Sequence, residues 1–180
     1  MKKISRPALA ELTVGAVFTA LICVISQLSI LTPVGVPVTL QTLIVALCGY
    51  LLGAKRAVFS VAAYILIGAI GLPVFSGFRG GLQQLFGITG GFIFGFLLLC
   101  LACGISRRLT AKAVKILFGV AGTLLCHIMG TVWLALLSGS NIAAAFVTGS
   151  LPFLPKDIIC TVLAFFLACH TEKMINSRKT

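Results

Sequence analysis

Long apolar stretches, separated by short polar or basic breaks, follow one another along this chain. Six can be drawn, over residues 8–31, 38–54, 57–72, 84–106, 116–138 and 152–170. Their lengths lie close to the ~17 to 25 apolar residues that a helix needs to cross a bilayer. The second, third and sixth are near or below the low end of that range, so they are expected to be strongly buried in a bundle or broken at an end. The pattern predicts an all-α integral membrane protein of six transmembrane helices, forming a single membrane-embedded domain over residues 1–180.

Composition agrees. The 180 residues are 59% hydrophobic and only 9% charged, which excludes a water-soluble globular domain. The basic residues add orientation, because cytoplasmic loops carry the excess of Lys and Arg. With both termini cytoplasmic, twelve of the fourteen basic residues fall inside: Lys2, Lys3 and Arg6, then Lys55 and Arg56, then Arg107, Arg108, Lys112 and Lys115, then Lys173, Arg178 and Lys179. The net charge of +11 is then a topology signal, met by anionic lipid headgroups, and needs no nucleic acid. A cleaved signal peptide is the competing reading of the N-terminus. Its apolar core would be ~7 to 15 residues and closed by small residues, whereas this stretch runs on to Leu31; it is therefore the first span.

Arg79 and Lys156 are the two outer exceptions, and Asp157 is the only carboxylate between Glu11 and Glu172. An ionisable group at membrane depth usually faces a protein-lined or wet cavity and marks a functional site. A second reading makes Asp157 a helix cap, since Pro152 and Pro155 announce a helix start and a carboxylate there meets unpaired N–H groups and the helix dipole. Two cations and one acid on the outer side suit a small polar ligand that carries both an anion and hydrogen-bond donors. The glycine-rich stretch 71–81, with Phe75, Phe78 and Arg79, is expected to fold over the mouth of such a pocket, or to be a flexible turn. Gln41, flanked by Thr39 and Thr42, either bonds to a neighbouring helix or points its amide into the pocket.

Other polar residues carry less. Cys23, Cys48, Cys100, Cys103, Cys126, Cys160 and Cys169 all lie in expected spans, where a thiol packs as a small hydrophobe; the Cys100–Cys103 pair has no second pair or flanking His to suggest metal or redox use. His127, near the middle of the fifth span, reads either as a site residue or as a neutral ring bonded to a neighbouring helix. No nucleophile, metal cluster or acid/base pair is visible, so an enzyme is not expected and neither a metal nor a cofactor is.

Five motifs, in order, resemble the BioY family: Pro37-Val-Thr-Leu-Gln-Thr-Leu43, Gly71-Leu-Pro-Val-Phe75, Gly77-Phe-Arg-Gly-Gly81, Thr89-Gly-Gly91 and Pro152-Phe-Leu-Pro-Lys-Asp157. The family comprises the biotin-specific S components of energy-coupling factor (ECF) transporters of the prokaryotic plasma membrane. The resemblance covers nearly the whole chain. It implies a six-helix S-component fold, a biotin site near the extracellular face, and coupling to a transmembrane T component and two ABC-type ATPases; some members act without a dedicated module. The chain carries no GxxxxGK[ST] loop with which to draw on ATP itself. Ala16 and Ala20 match the family's Ala-x-x-x-Ala surface for docking the T component, or else pack within the chain. In the implied site Asp157 accepts from the ureido N–H groups of biotin, and Gln41 or a backbone N–H serves its carbonyl. Phe75, Phe86 and Phe92 pack the ring, with Thr89 beside them, and Arg79 with a second cation holds the carboxylate.

The chain departs from the family in its last motif. Where the family has Pro-Gly-Asp-x-x-Lys, this chain has Pro155-Lys156-Asp157-Ile-Ile-Cys160. Lys156 lies one helical turn before Cys160, so the cation is expected to have moved one turn outward. Ile88 where Pro is common and Phe92 where Tyr is common are milder changes. Two further readings stand beside biotin uptake: an S component for another small vitamin-like anion, and a gradient-driven carrier with Asp157 as its proton site.

Overall fold

The computed structural model describes residues 6–30 and 36–177, with side chains from residue 11 onward. Lys2, Lys3, Arg178, Lys179 and the expected end of the first span at Leu31 lie outside the described residues. Among those residues, eight helices form: α1 (Arg6–Ile25), α2 (Gln41–Leu52), α3 (Ala54–Ala69), α4 (Leu82–Leu85), α5 (Gly90–Ser106), α6 (Lys112–Ser138), α7 (Ile142–Gly149) and α8 (Leu154–Ser177). Two short strands, β1 (Ser29–Ile30) and β2 (Val38–Thr39), pair antiparallel, with Ser29 opposite Thr39.

Each of the six expected stretches corresponds to one helix of 12 residues or more, but the lengths and boundaries differ: α2 has 12 residues and α3 has 16. The first helix ends at Ile25, because the chain turns there and enters β1. The fourth begins at Gly90 instead of residue 84. Residues 82–85 form a separate turn of helix, folded back so closely that a Cβ on Gly90 would sit 1.7 Å from the Leu85 carbonyl oxygen. The sixth is not short: α8 is 24 residues long, and it and α6, at 27, are the two helices long and apolar enough to cross a membrane. The eight-residue α7 has no counterpart in the expected pattern; Asn141 caps it by accepting the Ala144 N–H at 2.7 Å.

α5 lies at the centre, packed along α6, α2 and α3, while α8 covers α2 and α6 and α1 leans on α3 and α2. Close approach depends on small residues, as in membrane bundles generally. A Cβ on Gly49 of α2 would fall 2.6 Å from the Cβ of Cys103 on α5, and one on Gly95 2.7 Å from the Cys126 sulfur on α6. Cys48, Cys100 and Cys103 are fully buried in this contact, so their packing role accounts for them. Among the described residues no cluster of three metal-ligating side chains forms.

The basic breaks gather at one end of the bundle. Arg56 pairs with Glu11 at 2.5 Å, Arg107 with Glu172 at 3.4 Å, and the Tyr50 hydroxyl donates to the Lys115 carbonyl at 3.2 Å. These contacts join the start of α1 to that of α3, the end of α5 to that of α8, and the end of α2 to the start of α6. Around the flank of the bundle large apolar side chains point outward, among them Leu12, Phe59, Leu66, Ile128 and Phe166, each more than half exposed. An exterior with so many exposed large apolar side chains belongs against lipid or protein.

Candidate functional site

A cavity opens at the end of the bundle opposite the basic breaks, holding about 770 Å³ of space free of protein atoms, part of it open to solvent. It is built from the start of α2, the loop between α3 and α4, the start of α5, the middle of α6 and the first turn of α8. Asp157, Lys156, Arg79, Gln41, Phe75, Thr89 and Phe92, which the sequence scatters over more than a hundred positions, all line it.

Asp157 lies inside the first turn of α8, where its own N–H bonds the Phe153 carbonyl at 3.0 Å. Its carboxylate therefore caps nothing. One oxygen, Oδ2, faces His127 Nε2 at 3.1 Å and the other, Oδ1, faces Lys156 Nζ at 2.6 Å, with the side chain only 10% exposed. Lys156 Nζ also donates to the Thr39 carbonyl at 2.5 Å, which ties the start of α8 to β2. Cys160 is buried one turn further along, outside the cavity lining, whereas Lys156 is part of it. The acid end of the cavity is thus a Lys156–Asp157–His127 cluster, with Asp157 and His127 buried and Lys156 half-buried, in which the buried acid has both an opposite charge and a hydrogen bond, as burial requires.

Gln41 donates from Nε2 to the Tyr64 hydroxyl at 2.8 Å, and its N–H reaches the Thr39 hydroxyl at 3.3 Å. Tyr64 in turn meets Phe75 edge to face at 5.5 Å. Each of the two aromatic walls rests on a glycine. A Cβ on Gly68 would lie 2.1 Å from Phe75 Cζ, and one on Gly130 2.3 Å from Phe92 Cε1. Phe92 also meets the His127 ring edge to face at 5.8 Å. Phe86, expected beside them, is 63% exposed and lies outside the lining; it follows α4 at the surface while the chain turns back toward α5.

The loop over the mouth is ordered by its own bonds. Phe75 and Arg79 exchange backbone hydrogen bonds of 2.8 and 3.2 Å, closing a tight turn in which Gly77 and Phe78 adopt positive φ. Gln27 at the end of α1 grips this turn from below: its Oε1 accepts the Phe78 N–H at 2.9 Å and its Nε2 donates to the Pro73 carbonyl at 3.3 Å. Ser26 donates to the Val74 carbonyl beside it. Arg79 stays exposed at the rim, and Thr89 accepts from Gln84 Nε2 at 2.7 Å.

Sequence reasoning missed Tyr64, Phe153 and Gln84 in the lining and left His127 undecided. His127 turns out to satisfy both of its readings, bonded to a neighbouring helix and lining the cavity. Its signal was available, as an ionisable ring within the fifth span, but periodicity in a helix that is apolar all round does not say which face looks inward.

A model of the BioY family matches residues 1–177. The chain is 39% identical to the "Biotin transporter BioY" of Thermotoga maritima, with 91% of this chain and 96% of that protein covered. It is 38% identical to the "Probable biotin transporter BioY" of Pyrococcus horikoshii, with 88% and 93% covered. The fold also matches a solved structure described as the S-component for biotin from an ECF-type ABC transporter, with a TM-score of 0.85 and 25% identity over 96% of this chain and 95% of that one. With a family match over nearly its whole length and close relatives covered almost completely, the chain belongs to the BioY family.

Proposed function

We propose that this chain is the biotin-binding S component of an ECF-type ABC transporter, capturing biotin at the cavity around Asp157. The observation that carries the reading is a family match and a solved biotin S-component sharing one fold, together with a cavity whose chemistry suits that vitamin. Biotin has a ureido ring with two N–H donors and a carbonyl, an apolar thioether ring and a carboxylate tail. In this reading Asp157 accepts from the ureido end through a charge-assisted bond, Gln41 serves its carbonyl, and Phe75 and Phe92 flank the bicycle with Thr89 at its edge. Arg79 holds the carboxylate from the rim, and Lys156, whose ammonium is paired with Asp157, is the second cation of the site. The place of Lys156 in the lining, and of Cys160 outside it, supports the outward shift of the cation.

The chain sits in the cell membrane as six spans with both termini cytoplasmic. The alternating helices, the apolar flank and the gathering of basic residues at the end away from the cavity support this orientation. Ala16 and Ala20 lie exposed on α1, which supports their role in docking the T component, itself driven by two ABC-type ATPases. A proton-coupled carrier fits less well, since Asp157 is already engaged by Lys156 and His127 near a helix start.

Titration calorimetry of biotin into the purified chain in detergent tests the reading. Binding by the parent, weakened at least tenfold in Lys156→Ala, is expected. A folded parent that ignores biotin sends the search to other small anions, and an unchanged affinity in Lys156→Ala removes the relocated cation.

A further inference from the structure

Among the described residues, three buried side-chain polar atoms have no hydrogen-bond partner: Ser76 Oγ, His127 Nδ1 and Asp157 Oδ1. All three residues line the same cavity. A buried polar group without a partner is costly in a folded protein, so a cluster of them in one cavity calls for an explanation. Asp157 Oδ1 has Lys156 Nζ at 2.6 Å as an ion-pair partner, and the Thr42 side chain also interacts with this carboxylate, yet no donor meets Oδ1 with hydrogen-bond geometry, leaving acceptor capacity open. His127 is 6% exposed in its side chain and has no partner at Nδ1 at all.

The protonation of the ring follows from its neighbour. Asp157 Oδ2 is an acceptor, so Nε2, 3.1 Å away, carries the hydrogen. The half-buried Lys156 already supplies the counter-charge of Asp157, and a neutral ring adds no unmatched charge to the buried His127–Asp157 contact, the arrangement that burial favours. Neutral His with its hydrogen on Nε2 has a lone pair on Nδ1. Two acceptors, one on α6 and one on α8, therefore belong to side chains in direct contact.

We infer that His127 is a ligand-binding and specificity-determining residue, whose Nδ1 accepts one N–H of a cyclic urea while Asp157 Oδ1 accepts the other. The inference rests on the biotin reading above and deepens it. Recognition by two acceptors selects ligands with two donors on one edge, because a ligand with a single N–H leaves either His127 Nδ1 buried and unpaired or Asp157 Oδ1 with its ion pair alone.

Two substitutions separate this role from that of merely holding Asp157. The amide of Gln reaches the position of Nε2, so His127→Gln keeps a donor for Asp157 and removes the acceptor at Nδ1. Asn reaches the position of Nδ1, so His127→Asn keeps an acceptor there and loses the bond to Asp157. Calorimetry with biotin is expected to give at least about tenfold weaker binding for His127→Gln than for the parent, with His127→Asn the tighter of the two variants. The reverse order, with Gln equal to the parent, overturns the assignment.

The parent protein gives a second test that no folding defect can blur. Two biotin analogues, each with one ureido N–H replaced by a ring oxygen, should each bind at least about tenfold more weakly than biotin. In His127→Gln one of the two penalties should vanish and the other persist. Full affinity of the parent for either analogue overturns the pair of acceptors, whereas a folded parent blind to biotin itself overturns the functional reading on which it stands.

Discussion

At Asp157, charge and hydrogen bonding converge on a single side chain. Replacing it with Asn keeps the shape but removes the charge that Lys156 answers at 2.6 Å, and turns one of its acceptors into a donor. A charge-assisted hydrogen bond is worth about 1.5–3 kcal/mol, so Asp157→Asn should weaken biotin binding by roughly 10- to 100-fold in calorimetry. The two glycines under the aromatic walls make a different demand. Methyl groups at Gly68 or Gly130 have no space unless Phe75 or Phe92 moves into the cavity. Gly130→Ala should therefore lower stability by about 1–3 kcal/mol and lower biotin affinity as well. A variant that loses thermal stability yet binds like the parent would mean that Phe92 escapes elsewhere. These residues also show where sequence alone runs out. Asp157, Lys156 and Arg79 stand out because charge is rare in an apolar chain. Tyr64 and Gly68 do not, since nothing in a helix apolar on all sides marks one Tyr or Gly as facing a cavity.

Helices were legible from hydrophobic length, and their ends were not. The six apolar stretches each yielded a helix, two of them long enough to cross a membrane, but the first stretch ran past Ile25 into β1, and the fourth hid the separate turn α4 behind continuous hydrophobicity. In both cases the apolar run continues while the backbone reverses, and only tertiary contacts record the reversal. The loop between α3 and α4 is the element on which ligand retention should depend. It is tied to the main body through Gln27, two of whose side-chain bonds reach Phe78 and Pro73. Gln27→Ala removes both while leaving the cavity lining intact, so it should speed biotin dissociation at least several-fold with a smaller effect on association. Stopped-flow chase with unlabelled biotin measures this directly, and an unchanged off-rate would mean that the Ser26 bond to Val74 and the turn between Phe75 and Arg79 hold the loop in place without Gln27.

On the scale of the whole molecule the bundle has two unlike ends and one unlike flank. One end gathers the basic residues, the other holds the cavity, and α1 shows lipid or partner a strip in which the exposed Ala16 and Ala20 lie among Leu12, Val17 and Val24. Helices associate closely in a bilayer where small residues let their backbones approach, and bulk at the same positions holds them apart. If α1 is the docking face, Ala16→Leu together with Ala20→Leu should leave biotin affinity in detergent unchanged, because neither residue belongs to the cavity. The same pair should abolish co-purification with a T component and reduce biotin uptake at least tenfold in cells that carry a complete ECF module. Loss of both binding and uptake would mean that the substitutions disturb the fold through α3, against which α1 packs. Full uptake with an intact complex would place the docking face elsewhere on the apolar flank, where α6 and α8 present Ile128, Leu136, Ile159 and Phe166 outward.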